Sequence, residues 1–90
     1  MPKAIVDPAD LRRFAHNLKH CTNELQHQLA ALQGQFASLG DTWRDQEHDK
    51  FAQDFSDTML VVNRFIETAN EQIPFLLRKA ERVEEYLQQR

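Results

Sequence analysis

Apolar residues recur along this chain at helical spacing. Leu11, Leu18, Leu25, Leu32 and Leu39 return every seven residues. A second ladder runs Phe51, Phe55, Met59, Val62, Ile66, Ala69, Ile73, Leu76, Ala80, Val83, Leu87. Steps of three and four are the signature of an amphipathic helix. The two ladders flank Gly40-Asp41-Thr42-Trp43, which contains the chain's only tryptophan. The pattern predicts an all-α fold, an antiparallel two-helix hairpin, as one domain over residues 1–90.

Local signals set the expected boundaries. Residues 1–6 read as extended or frayed. Asp7-Pro8-Ala9-Asp10 is a helix start: a capping carboxylate, a proline at the first helical position and an acid in the first turn. Helix 1 is expected over about 8–38, the turn over 39–45, and helix 2 over about 42–88. Gly40 is expected to stop helix 1 through a positive φ. Asp41 and Asp45 are both candidate caps for helix 2. Pro74 falls inside helix 2 and predicts a kink, because it removes a hydrogen bond and crowds the Asn70 carbonyl. Gly34 is a weak point within helix 1, or else a site of close helix approach.

The core face of helix 1 is expected to hold Leu11, Phe14, Leu18, Cys21, Leu25, Leu29, Leu32, Phe36 and Leu39, with a slip in spacing near Gln28-Leu29. Cys21, the single cysteine, then reads as a small buried hydrophobe. Helix 2 carries a further apolar band: Leu60, Val61, Phe65, Phe75, Leu77 and Tyr86. Two helices bury one seam and leave such a band wet. The hairpin is therefore expected to assemble into a four-helix bundle dimer.

Bulk properties exclude several functions. The net charge is −3 and no basic block appears, so a nucleic-acid partner is not expected. No apolar run is long enough to span a membrane. Residues 1–10 do not read as a general secretory signal. His16 and His20 lie one turn apart, a spacing that can hold zinc. Asn17, however, stands where a zinc peptidase helix needs glutamate. They read as solvated, and no metal is expected. Asp45, Glu47 and Asp49 read as acids stabilising a positive helix end. With no cleft, no phosphate loop and no nucleophile–base set, no catalytic residue and no cofactor are expected.

At Trp43 the chain resembles the WXG-type (ESAT-like) helical hairpin proteins of type VII (ESX) secretion. The shared features are a length near one hundred, two helices, a Trp at the midpoint turn and an aromatic, Phe51, eight positions on. Leu39 before the turn and Phe55 after it also fit. Two positions depart. Asp45 stands where the family has glycine two places after the Trp. Four residues after Tyr86, where the family's export signal places an acid, stands Arg90. The resemblance implies a homodimer or a heterodimer with a related hairpin. It also implies non-enzymatic protein–protein interaction, with a secretion ATPase or an effector as further partners. It puts Trp43 against the partner or at a recognition surface; as a plain end plug Trp43 would serve the bundle alone. The expected partner interface is Trp43, Phe51, Phe55, Leu60, Val61, Phe65 and Tyr86. Expected localisation is cytoplasmic, with secretion by a signal-peptide-independent route. The alternative is a cytoplasmic helical adaptor or chaperone-like scaffold that is never exported.

Overall fold

The computed structural model describes residues 6–89. The extended segment expected at 1–5, and Arg90, lie outside the described residues. Two helices form a hairpin: α1, Pro8–Leu39, and α2, Gln46–Gln88. Among the described residues there is no strand. The 43 residues of α2 amount to about 65 Å of helix at 1.5 Å per residue. This accounts for the long axis of a rod measuring 68 × 19 × 14 Å.

Each helix begins on an aspartate. Asp7 is extended, and its Oδ1 accepts a hydrogen bond from the Ala9 amide at 2.8 Å. Asp45, also extended, accepts from the His48 amide at 3.0 Å. Asp45, not Asp41, therefore caps α2, followed by Glu47 and Asp49 in the first turn. The glycine that the family places at position 45 is not needed, because φ there is −100°.

The exit from α1 differs from expectation. Gly40 has φ −61° and ψ −16°, and among the described residues no φ is positive. The chain tightens instead of reversing through a left-handed residue. Gly40, Asp41 and Thr42 donate in turn to the carbonyls of Ala37, Ser38 and Leu39 at 3.1–3.2 Å, and Trp43 N donates to Leu39 O at 2.9 Å. Glycine serves here by lacking a side chain: a Cβ on Gly40 would sit 3.3 Å from the Ala37 carbonyl oxygen. Gly34 does not admit the second helix, since a Cβ there would have nothing within 4 Å.

The seam also corrects the expected core of α1. It runs Leu11, Ala15, Leu18, Thr22, Leu25, Leu29, Leu32, Phe36, Leu39 in unbroken steps of four and three. Ala15 and Thr22 are buried, whereas Phe14 and Cys21, one position earlier, are exposed. The slip near Gln28 disappears once the small residues are counted. One residue is about 100° of helix rotation, enough to carry Phe14 and Cys21 off the seam. On α2 the seam runs from Phe55 through Met59, Val62, Ile66, Ala69, Ile73, Leu76, Ala80 and Val83. It extends toward the turn through Ala52 and His48, while Phe51 lies beside it and is exposed. Leu77 is half-buried and flanks the seam, so it does not belong to the exposed band.

Small residues at Ala15, Ala69 and Ala80 let the helices approach closely; Thr22, Met59 and Ile66 are buried with them, Leu32 and Leu39 are exposed near the turn, and the other seam positions are half-buried. The helix continues through Pro74 without interruption. Across the seam, Thr22 Oγ1 lies 3.0 Å from Asn70 Oδ1 and equally close to the Lys19 carbonyl. Toward the open end, Arg12 grips Glu84 through both Nε and Nη2, with the Nε–Oε2 bond at 3.2 Å. The hydrogen bond from Arg12, helped by its charge and opposed by desolvation, holds the Glu84 carboxyl below its ordinary pKa. The same bond raises that of Arg12.

Candidate partner interface

The turn gathers aromatic rings from both helices. Phe36 arrives from the last turns of α1, and His48, Phe51 and Phe55 from the first turns of α2. The His48 ring stacks flat on Phe36, centroids 5.2 Å apart with 6° between planes. Trp43 meets His48 edge-on at 5.0 Å and 86°. Phe36 also packs on Phe55 at 5.0 Å and on Phe51 at 5.5 Å. Trp43 reaches Phe51 at 6.0 Å. Edge-to-face and offset contacts of this kind add to simple burial.

Three features set this arrangement. The Trp43 amide is tied to Leu39, which fixes where the ring leaves the backbone. The Arg44 side chain donates from Nε to the Gly40 carbonyl at 3.1 Å and closes the turn from outside. The Asp45 cap starts α2 so that His48, Phe51 and Phe55 fall on or beside the seam. His48 was isolated in the sequence and unread as part of this cluster. The signal was present: it lies four before Ala52 and seven before Phe55, in the register of the α2 ladder.

The rings leave an open apolar groove of about 360 Å³. Leu32, Phe36 and Leu39 form one wall, Trp43, Phe51 and Phe55 the other, with Gln35 the polar member. Leu32 and Leu39 remain in seam register yet stay exposed, because they line this groove and the opposing helix does not cover them. Trp43 is half-buried.

The remaining candidate residues lie along α2. Leu60 is 62% exposed, Val61 66% and Phe65 52%. Phe75 and Tyr86 are also exposed. The groove joins Trp43, Phe51 and Phe55, whereas Leu60, Val61, Phe65 and Tyr86 form no part of it.

His16 and His20 are exposed on α1. Among the described residues no three of His, Cys, Asp and Glu are placed to share a metal ion. Among the same residues no helix is long and apolar enough to cross a membrane.

Comparison with known proteins places this geometry. No curated protein matches the chain in sequence. Among solved structures, the chain is similar to the secreted protein EsxB of Bacillus anthracis str. Sterne. The wild-type crystal structure is 26% identical with a TM-score of 0.78, covering 92% of this chain and 89% of that one. A single-substitution variant of the same protein gives a TM-score of 0.81 at 26% identity, covering 94% and 96%. Its selenomethionine form gives 0.77, covering 96% and 98%. The sequence model of the WXG100 family, proteins of 100 residues with WXG, matches residues 4–88. That match runs through both helices and the Trp43 turn between them, so the chain belongs to the WXG100 family.

Proposed function

We propose that this protein is a secreted helical component of a type VII-related system, acting without catalysis by pairing with another helical hairpin. The observation that carries the reading is the uncovered apolar surface. Trp43, Phe51 and Phe55 line an open groove, and Leu60, Val61, Phe65 and Tyr86 stand exposed along the adjoining helix. Exposed apolar residues in such numbers mark interaction surfaces in soluble proteins. A second hairpin laid on this side would complete a four-helix bundle. Trp43 then serves both purposes: its ring braces the turn against His48 and presents a face to the partner. Family membership and the likeness to EsxB support export by a route that needs no signal peptide. A secretion ATPase or an effector would be a further partner of the paired form.

Fractionation of the native host tests this. Cell lysate and culture supernatant are probed for the chain, with a cytosolic protein as lysis control. The expected result is protein in the supernatant that disappears when the secretion ATPase is deleted. Protein confined to the cytosol would overturn export and point to an internal adaptor or chaperone-like scaffold.

A further inference from the structure

The groove beside the turn is apolar within and acidic around its edge. Its rings, Phe36, Trp43, Phe51 and Phe55, come from three segments of the chain, with contacting centroids 5.0–6.0 Å apart. The charge around them is one-sided. Residues 41–57 hold six acids and two bases, whereas the rest of the chain holds eight acids and nine bases. The negative charge of the molecule is thus gathered at the turn. The adjoining end of α1 offers nothing to balance it, because residues 25–40 contain no Asp, Glu, Lys or Arg.

Three of the acids stand beside the ring positions. Asp41 precedes Trp43 by two residues in the turn. Glu47 and Asp54 lie about one helical turn to either side of Phe51, on its face of α2. All three are exposed, and among the described residues none is in an ion pair. The two bases leave them unanswered. Arg44 turns its Nε onto the Gly40 carbonyl at 3.1 Å, and Lys50 lies about 100° round the helix from Phe51.

We propose that the groove seats a basic segment of a protein partner, one that lowers an apolar side chain between the rings and sets arginine or lysine against the acids. This rests on the reading of the Trp43 side as a partner surface and adds the chemistry of what enters it. The rings and the rim select the same occupant. Aromatic faces carry negative potential and attract guanidinium and ammonium groups. The unpaired carboxylates attract those groups from further away and steer them in. An anionic occupant, such as a fatty acid or a nucleic acid, meets repulsion from both. A small organic cation would answer one carboxylate and leave the others. Glu47 and Asp54 are about 10 Å apart along the helix, a span that a few residues of peptide cover.

The test uses the single tryptophan. The full chain is titrated with a synthetic hexapeptide of alternating arginine and leucine, and Trp43 fluorescence is followed. Control peptides of the same length alternate glutamate with leucine, or arginine with serine. The arginine–leucine peptide is expected to give a saturable change, and both controls to bind at least about tenfold more weakly. Glu47→Gln combined with Asp54→Asn should keep its helicity by circular dichroism, since both sites are exposed. Its dissociation constant for the arginine–leucine peptide should rise about fivefold or more, and added salt should weaken wild-type binding likewise. Equal binding of the glutamate–leucine peptide would reduce the groove to an unselective apolar surface and overturn the proposal. Equal binding of the arginine–serine peptide would show attraction without seating and overturn it too, as would an unchanged constant in the double variant. Sedimentation of the same samples separates this from hairpin pairing. Peptide binding only at dilutions where the chain is monomeric would give the groove to a second copy and overturn the basic segment, with pairing left standing. A chain that binds the peptide yet pairs with no hairpin would keep the basic segment and overturn the pairing.

Discussion

Among the described residues Thr22 is the one polar side chain that the seam buries, at 0% exposure. Its hydroxyl is satisfied by Lys19 O and the Asn70 side chain, both at 3.0 Å. Because the pair spans the seam, sliding the helices would leave buried polar atoms unmatched. The Thr22–Asn70 contact thus penalises wrong registers more than it stabilises the right one. Thr22→Val keeps the shape and removes the bond. It should cost about 1–2 kcal/mol, read as a lower urea midpoint, and adding Asn70→Leu should recover part of the loss. The Arg12–Glu84 pair acts differently, because both side chains are more than a third exposed. Glu84 has a lowered pKa in the folded chain. Its contribution is therefore present above the ordinary carboxylate range and lost as pH falls through the lowered value. The stability gap between the wild type and Glu84→Gln should close on acidification and shrink with added salt. A gap independent of pH would deny the pair this role.

At the scale of the element, much of the hairpin was legible. Repeating threes and fours mark both helices, and on α2 the ladder from Phe55 to Val83 is the seam itself. On α1 the same reading drifted because it favoured large side chains. Phe14 and Cys21 attract notice, while Ala15 and Thr22 do not, yet the smaller pair is what allows close approach. Gly40 misled for a related reason. Glycine after a helix usually signals a left-handed residue, but successive tight hydrogen bonds close this turn with negative φ throughout. His48 escaped notice because a polar side chain in an apolar register shows its role only once Phe36 is brought beside it. Pro74 sits in an otherwise continuous helix, and it cannot donate to the Asn70 carbonyl. Pro74→Ala restores that donor and should raise stability by about 1–3 kcal/mol, measured by chemical unfolding. No gain would mean that the surrounding packing already accommodates the proline.

At the scale of the molecule, the candidate surface was visible in the sequence as a surplus of apolar residues, though not as a shape. Leu60, Val61 and Phe65 could be named because one seam cannot absorb them. The groove beneath Trp43 could not be drawn, since it depends on where the turn places the ring. Phe65→Glu should leave helicity intact, because that position is half open, and should abolish pairing as read by sedimentation. Retained pairing would remove Phe65 from the interface. The thinness of the rod carries a last consequence. Among the described residues only Ala15, Thr22, Met59, Ile66, Ala69 and Ala80 are buried, so a lone hairpin has little interior to resist unfolding. If the missing interior is supplied by another chain, thermal stability becomes a matter of mass action. Diluting the protein should then lower its melting temperature steadily, as though dilution were itself a denaturant.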